Sequence, residues 1–424
     1  MRLHTEPSAP AQVVLCDERP LPSTWIPRAG AAVISLGDMA PTAATPAFDT
    51  EQVNPAHWPV ALKRAAALGP RKRLPTGHTA SRRVDAANLA RARRYHHLAD
   101  VAAYHADAQA RAGAVAALAA SGAVVRLCDG GVEVAGLLGE RLFALLTDPR
   151  IETASEAERE ALSVEMRREA LRTHSLRARA RQVCEAASVN MEPLPLVSVL
   201  LATRRPDRVA EAVASVAAQT YPRIELVLAA HGDGFNLDRL EALAADSGTN
   251  ARVLAVPAGR VLGEVLNEAV EYSRGELVTK FDDDDFYGPE HIWDLVLAHE
   301  YSRATLIGKA AEYVYLEGAD RTLRRFRAGA ERFGSKLTLA GGAMIIARND
   351  LDAVVGWRPV PSGVDRALMQ DVVASGGSLY RTHGRGYLLV RHARGHTWEA
   401  DDEYFLEQAV EVQDGCDLRF AGVV

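Results

Sequence analysis

Cysteine is scarce in this chain, and its distribution follows no metal-binding or disulfide pattern. Four cysteines occur in 424 residues, at Cys16, Cys128, Cys184 and Cys416. None of them stands in the C-x-x-C spacing of zinc sites. Because nothing indicates a disulfide framework, a reducing cytoplasm is the expected location.

Long apolar runs and excess positive charge are also missing. No segment approaches the roughly 18 uninterrupted apolar residues of a membrane span, and the first residues lack the apolar core of a signal peptide. The net charge of −6 argues against a nucleic-acid partner. Hydrophobic residues (48%) and charged residues (25%) occur in the proportions of a soluble globular protein, and the length predicts two or three domains.

Residues 1–190 contain no motif that carries chemistry, and their function stays open. The apolar and helical patterns predict a small α/β or mainly helical domain. The predicted elements are strands at 13–15 and 31–36, a helix within 84–120, a strand at 124–127, a helix at 134–146 and one long charged helix from 155 to about 187.

The second half of that long helix is strongly basic. One interpretation is a contact with an acidic polymer or a peripheral contact with anionic lipid at the inner face of the membrane. The alternative, which we favour, is a solvated helix whose arginines pair with glutamates of the same helix. The arginines concerned are Arg167, Arg168, Arg172, Arg177, Arg179 and Arg181.

Two prolines, Pro193 and Pro195, predict a domain boundary near residue 190. Beyond it, apolar strands alternate with helices, which indicates βαβ crossovers and a parallel sheet with helices on both faces. Ligands of such sheets bind at the carboxyl ends of the strands. The predicted strands are 196–202, 224–229, 252–256 and 277–279, and the helices are 207–218, 237–245 and 262–273.

Four consecutive aspartates, Asp282 to Asp285, follow the last of these strands. Two unit charges ~4 Å apart repel by roughly 4 kcal/mol at an effective dielectric near 20, so such a run needs a cation or protonation. Alternation along a strand would turn Asp282 and Asp284 to one side and the other two to the opposite side. Hard carboxylate oxygens suit Mg²⁺ or Mn²⁺ that also holds a diphosphate. The alternative is a solvated acidic turn before a helix.

These motifs, in this order, resemble family 2 glycosyltransferases of the GT-A fold. The similarity extends from about residue 196 to 398 and includes the strand at 197–203, the segment Gln219–Pro222 and the acidic run. It implies a Rossmann-like, mainly parallel sheet and a nucleoside-diphosphate sugar as donor. It also implies transfer, with inversion, to an acceptor hydroxyl. The acceptor is left open as a glycan, a lipid-linked molecule or a small molecule.

The resemblance also implies which residues form the site. Asp282 and Asp284 would hold Mn²⁺ or Mg²⁺, with His392 or, less well matched, His396 as a further ligand. The family usually has an aspartate after its second strand; here His231 or Asp233 would contact the base instead. The implied nucleotide-sugar residues are Thr203, Arg204, His231, Asp233, Asn267, Lys280, Asp282, Asp283 and Gly342.

The acceptor side of the site begins, by the same resemblance, with a glycine-containing strand around Gly342. Glycine there permits close approach of the backbone to substrate, although a simple β-bulge is equally compatible. Asp365 matches the family's catalytic base at the start of a helix. An ordinary N-cap is the alternative for this residue, and Asp371 is a weaker candidate base. Residues 191–406 are predicted as the glycosyltransferase domain and 407–424 as a tail.

Two rival functions stay open. One is a nucleotide-sugar-binding module without turnover, suggested by His231 and by Val364, which stands where the family commonly has an acid. The other is a nucleotidyltransferase, which would need a glycine- and basic-rich loop after the first strand. Residues 203–206 are basic but contain no glycine, so this rival is weaker.

Overall fold

A computed structural model of the protein describes two short N-terminal strands and most of the chain after residue 97. The strands are β1 (Val13–Cys16) and β2 (Ala32–Ser35), which pair in parallel. The other described residues are 97–100, 102, 105, 107–325, 333–392 and 402–424. The chain divides between Pro193 and Leu194 into two compact units.

The N-terminal unit combines a short parallel strand pair with helices. β3 (Leu98–Asp100) pairs with β4 (Val125–Leu127). The alanine-rich α1 begins where Asp107 accepts a hydrogen bond from the Ala110 N–H at 2.7 Å. The helices are α1 (Ala108–Ala120), α2 (Ala135–Leu138), α3 (Glu140–Leu146), α4 (Glu156–His174) and α5 (Leu176–Ala186).

Three helix predictions in this unit were wrong in extent. The segment predicted as a helix within 84–120 contains β3, because its backbone is taken up by pairing with β4; its first residues lie outside the described ranges. Gly139, with φ of +79°, separates α2 from α3. The long charged helix is interrupted at Ser175, whose extended backbone (ψ 152°) begins a second helix and whose hydroxyl caps the Ala178 N–H.

The arginines considered for lipid contact are largely engaged within the unit. Arg167 and Arg179 are buried, and Arg172 forms an ion pair with Glu169. This arrangement favours the structural interpretation of the basic helix over a lipid contact. Within the described ranges, no helix is both long enough and apolar enough to cross a membrane.

A seven-stranded sheet forms the centre of the C-terminal unit. Its order is β14-β10-β13-β8-β5-β6-β7, and β13 alone runs antiparallel to its neighbours. The predicted mainly parallel sheet is therefore confirmed. The strands are β5 (Val197–Thr203), β6 (Ile224–His231), β7 (Asn250–Val256), β8 (Leu277–Phe281), β10 (Leu306–Gly308), β13 (Met344–Ala347) and β14 (Leu379–Arg381).

Helices cover both faces of this sheet, as predicted. Leu200 and Val227 are side by side in the register and pack with α8 and α11 in one buried cluster. Val199 and Leu226, each one position earlier, are fully buried and point to the opposite face. There α6 contacts β5, and α9 contacts β10 and β13. The helices are α6 (Val209–Ala217), α7 (Leu237–Asp246), α8 (Leu262–Tyr272), α9 (His291–Ser302), α10 (Arg348–Ala353) and α11 (Val364–Ala374).

A second, five-stranded sheet has the order β16-β12-β11-β15-β9. It contains the segment that was predicted to be a tail, and that prediction was wrong. β16 pairs antiparallel with β12, and Ala421 and Val423 pack against Tyr313 and Leu388. The elements are β9 (Phe286–Tyr287), β11 (Tyr313–Leu316), β12 (Arg321–Arg324), β15 (Tyr387–Arg391), α12 (Asp402–Glu407), β16 (Glu411–Asp414) and α13 (Leu418–Ala421).

Removal of residues 407–424 should therefore destabilise the C-terminal unit. The deletion exposes β12 and the apolar surface covered by Ala421 and Val423. By the burial of these side chains and their neighbours, we expect a loss of about 2–5 kcal/mol. Urea unfolding of the full chain and of residues 1–406 measures this loss. An unchanged unfolding midpoint would show that the segment contributes nothing to stability.

Candidate active site

Three strands of the parallel sheet end side by side. β5 lies between β6 and β8, with Thr203 paired to Ala230 and Leu201 paired to Phe281. Because parallel strands end at one edge, the residues after β8, β5 and β6 share that edge. The structure thus brings Thr203, His231 and the aspartate run to the edge where the sequence predicts a site.

The four aspartates form a turn rather than the end of a strand. β8 ends at Phe281, and the chain turns through Asp282–Asp285, here called the acidic turn, before β9. The chain leaves the first sheet there because β9 pairs antiparallel with β15 of the second sheet. The predicted strand-like alternation is therefore wrong, and each carboxylate has its own partners.

Lys280 links the acidic turn to the predicted base. Its Nζ lies 3.1 Å from Asp282 Oδ1 and 3.2 Å from Asp365 Oδ2, and its side chain is only 5% exposed. Burial lowers the pKa of Lys280, but the two carboxylates outweigh burial and raise it above its ordinary value. Burial raises the pKa of Asp282 in spite of the lysine. Lys280 was predicted among the nucleotide-sugar-binding residues; in the structure it bridges two carboxylates.

Arg205 is the second cation of the turn. Its Nε donates to Asp283 Oδ2 at 3.1 Å, and its Nη2 contacts Asp283 Oδ1 and lies 2.7 Å from Asp284 Oδ2. The Thr203 hydroxyl also donates to Asp283. Burial lowers the pKa of Arg205, but these carboxylates raise it above its usual range. Arg205 was not among the predicted site residues, because nothing in the sequence shows which of two adjacent arginines faces the turn.

Asp285 anchors the turn to the second sheet. Its Oδ2 accepts from the Tyr387 hydroxyl at 2.6 Å, and its Oδ1 accepts from the Val390 N–H at 2.9 Å. Burial raises the pKa of Asp285 well above its ordinary value. This carboxylate therefore holds the turn in place.

Two glycines make room for the acidic side chains. Gly341–Ala343 form a 3-10 turn directly before β13. A Cβ on Gly342 would lie 2.5 Å from the Tyr287 hydroxyl and 2.8 Å from Asp282 Oδ2, and one on Gly341 would overlap Asp365 Oδ2. The β-bulge alternative is thus wrong. The backbone at these glycines was predicted to lie close to substrate. In the structure it lies close to side chains of the acidic turn and to Asp365.

Asp365 is the second residue of α11 and does not cap it. Gly363, with φ of +73°, occupies the cap position, and no side chain caps the helix. Asp365 Oδ2 contacts Lys280, while its Oδ1 is buried without a hydrogen-bond partner among the described residues. The N-cap alternative is therefore wrong. Asp371, the weaker candidate base, forms an ion pair with Arg358.

His392 lies beside Asp284. Its Nε2 is 3.5 Å from Asp284 Oδ2, and its Nδ1 is 3.3 Å from Glu317 Oε2. Carboxylate oxygens and an imidazole suit a divalent cation, so the donors have the right chemistry. However, no group of three or more His, Cys, Asp or Glu side chains in the described ranges is arranged to hold an ion. His396, the alternative ligand, lies outside those ranges.

His231 is buried beneath Arg204. Arg204 Nε lies 3.1 Å from His231 Nδ1, and its Nη2 donates to the carbonyls of Ala258 and Arg260 at 3.1 and 3.2 Å. Burial, then the charge of Arg204, lowers the pKa of His231. The ring predicted to contact the base is therefore covered, and Arg204 is the exposed member of the pair.

Two predicted binding residues are not brought to the turn. The Asn267 carboxamide accepts from the Trp357 N–H and donates to the Trp357 carbonyl, both at 2.8 Å. Its role is to fix the chain before α11, so we withdraw it from the ligand-binding set. Asp233 is exposed between two glycines with positive φ, and within the described ranges no hydrogen bond or ion pair joins it to the acidic turn.

Aromatic rings support the turn from below. Phe281 and Tyr287 stack at 3.9 Å between centroids, and the fully buried His291 ring packs edge-on against both. Burial, then the charge of Lys309, lowers the pKa of His291 well below its usual range. Nearby, Asp294 and the Gly386 carbonyl raise it and His383 lowers it further.

This burial predicts acid sensitivity. The unfolded chain protonates His291 below about pH 6.5 whereas the folded chain resists, so stability is lost as the pH falls. His291→Phe should remove up to about 1.4 kcal/mol of this loss per pH unit. Unfolding free energies of the wild type and the variant at pH 7.5 and pH 5 test it. Equal losses in both proteins would show that His291 does not contribute.

A match to a known protein family supports the resemblance to family 2 glycosyltransferases. The model of glycosyl transferase family 2 matches residues 199–355, which include the acidic turn and the two glycines. Among curated proteins, no relative matches the chain.

Solved structures give weaker similarities. A mannosyltransferase, PcManGT, from Pyrobaculum calidifontis in complex with GDP-Man and Mn²⁺ is 14% identical, with a TM-score of 0.38, over 49% of this chain and 59% of its own. S. aureus TarS 1–349 in complex with UDP-GlcNAc is 15% identical, with a TM-score of 0.38, over 50% of this chain and 64% of its own. The chain thus spans less than two thirds of either protein, and these values assign no ligand to it.

Proposed function

We propose, from the match of residues 199–355 to glycosyl transferase family 2, that the protein transfers a sugar from a nucleoside diphosphate to an acceptor hydroxyl. The reaction proposed is inverting and depends on Mn²⁺ or Mg²⁺. The acceptor class (a glycan, a lipid-linked molecule or a small molecule) stays open.

One observation carries this proposal: Lys280 joins Asp282 of the acidic turn to Asp365. The donor side and the acceptor side of a transferase must meet within a few ångströms, because the attacking oxygen and the leaving group flank one carbon. A single buried ammonium that contacts a carboxylate from each side supports such a meeting point.

Asp365 is the proposed catalytic base. A base must reach the proton that it removes and needs a free acceptor atom. Asp365 Oδ1 is buried and has no partner in the described ranges, while Oδ2 is held by Lys280. We infer that Lys280 orients the carboxylate, whose side chain is 25% exposed, and that this carboxylate takes the proton of the acceptor hydroxyl.

Asp282, Asp284 and His392 are the proposed ligands of the divalent cation, since their carboxylate oxygens and imidazole nitrogen suit such an ion and His392 lies beside Asp284. The ion, when bound, supplies positive charge to the departing diphosphate. Thr203, Asp283 and Gly342 border this position. Arg204 is the exposed side chain above His231 and is proposed, with Asp233, to contact the nucleotide.

The cellular location proposed is the cytoplasm. Three of the four cysteines, Cys128, Cys184 and Cys416, have side chains in the described ranges, and all three are free thiols, as a reducing compartment favours. Peripheral membrane contact stays a prediction, which vesicle co-sedimentation can test.

A donor screen tests the proposed activity. The full chain is incubated with a panel of nucleotide sugars, with Mn²⁺ or with EDTA, and released nucleoside diphosphate is measured. We expect at least one donor to be hydrolysed with Mn²⁺ and its turnover to stop with EDTA. Tight nucleotide binding without turnover of any donor or acceptor would support the binding module instead.

A further inference from the structure

We propose that Arg205 is an exchangeable counter-cation: it holds Asp284 while the site is free of ligand and moves to the diphosphate when donor and divalent cation bind. This inference deepens the proposed function and rests on it. It adds a donor-binding role for a residue outside the aspartate run, and it makes binding of the ion depend on the nucleotide.

Lys280 and Arg205, the two cations that contact the acidic turn, differ in how freely they can move. Lys280 and Arg205 each bridge two carboxylates. The Lys280 side chain is 5% exposed, whereas that of Arg205 is 41% exposed. If Lys280 lost its two carboxylate partners, its ammonium would be a buried charge without compensation. The guanidinium of Arg205, in contrast, is already partly in water. Arg205 is therefore the member that can be displaced.

The guanidinium occupies the oxygen that a cation would need. Arg205 Nη2 lies 2.7 Å from Asp284 Oδ2, and His392 Nε2 lies 3.5 Å from the same atom. An ion bound to that oxygen and to His392 would stand within a few ångströms of the guanidinium. Two positive charges so close repel strongly, so the ion and Arg205 compete for Asp284.

Hydrogen bonds of Thr203 would keep Asp283 and the Arg205 backbone in place after the Arg205 side chain moves. Asp283 keeps its hydrogen bond from the Thr203 hydroxyl when the guanidinium leaves. The Arg205 backbone N–H donates to the Thr203 hydroxyl oxygen at 2.9 Å. The side chain can therefore change rotamer while the backbone keeps its position. A guanidinium fork matches phosphate oxygens as well as it matches carboxylates.

Competition of this kind couples the two ligands. A diphosphate that attracts Arg205 frees Asp284 for the ion, and the ion in turn releases Arg205 for the diphosphate. By linkage, each ligand must then raise the affinity of the other by the same factor. Mn²⁺ alone should bind poorly to the wild-type protein.

Manganese titration by electron paramagnetic resonance tests this coupling on the full chain, with UDP and GDP as nucleotide probes. We expect Arg205→Ala to bind Mn²⁺ alone at least about 10-fold more tightly than wild type, while Arg205→Lys lies between them. Arg208→Ala is the matched control, because it removes the same charge from an exposed pair with Glu211, and it should bind as wild type. The nucleotide should tighten Mn²⁺ binding strongly in wild type and less in Arg205→Ala.

The outcomes separate the two proposals. If Arg205→Ala, or Arg205→Lys should the alanine variant not fold by circular dichroism, binds Mn²⁺ no more tightly than wild type, the exchange is wrong and the proposed function is untouched. If Arg205→Ala and Arg208→Ala raise the affinity for Mn²⁺ equally, the effect comes from the loss of one positive charge at any position, and the exchange is also wrong. If wild type binds neither nucleotide with Mn²⁺ and turns over no nucleotide sugar, the proposed function itself fails.

Discussion

Asparagine in place of Asp365 should reduce sugar transfer by a factor on the order of 10²–10⁴ and leave the affinity for nucleoside diphosphate as in wild type. The amide keeps the shape of the side chain but cannot accept the proton of the acceptor hydroxyl. Steady-state transfer rates and calorimetric binding of the nucleotide measure the two quantities separately.

Asp371→Asn is the control for this prediction. It makes the same chemical change on the same helix, at a residue paired with Arg358, and should transfer sugar nearly as fast as wild type. Gly341→Ala provides a second approach, because its Cβ would overlap Asp365 Oδ2 and must displace the carboxylate. If Asp365→Asn transfers sugar as fast as wild type, the assigned base is wrong.

The second large effect concerns the acidic turn. Nucleoside diphosphate should bind at least about 10-fold more tightly with Mn²⁺ than with EDTA, and Asp284→Ala should abolish that difference. The substitution removes a proposed ligand of the ion. Without the bound ion, its positive charge no longer stabilises the diphosphate. Calorimetry with and without Mn²⁺ gives both affinities.

Asp238→Ala, at an exposed position in α7, controls for the loss of one negative charge and should keep the Mn²⁺ effect. Equal affinity of the wild type in Mn²⁺ and in EDTA would remove the ion from the proposal. Because Arg205 also holds Asp284, Asp284→Ala frees the arginine, so some nucleotide binding should remain in the variant.

Four strands of the central sheet, β5 to β8, could be predicted from the sequence because they are apolar and five to eight residues long. The continuous run of β5 and the helices between the strands have few alternative structures. The strands of the second sheet are only two to five residues long. Such short segments carry no periodic signal, which is why β16 was predicted as a tail.

The location of the candidate site could be predicted from the sequence. Which of its charged side chains form ion pairs with one another could not. Aspartates at a strand end and the aspartate at a helix start indicate where chemistry can occur. Which cation neutralises which carboxylate depends on how the chain turns after β5 and β8. For that reason Arg205 was not predicted and Lys280 was assigned to the nucleotide sugar. Asn267 was misassigned because the same carboxamide can bind a ligand or, as here, a backbone segment.

Phosphorus NMR of the full chain with a nucleotide sugar, Mn²⁺ and a panel of acceptors tests glycosyl transfer most directly. The spectrum distinguishes the intact donor, free nucleoside diphosphate and products of cleavage between the two phosphates. We predict that the donor signals convert to nucleoside diphosphate alone, that an acceptor speeds this conversion above donor hydrolysis, and that Asp365→Asn removes the acceptor-dependent part. Unchanged donor signals with every nucleotide sugar, in a protein that still binds nucleotide, would contradict transfer.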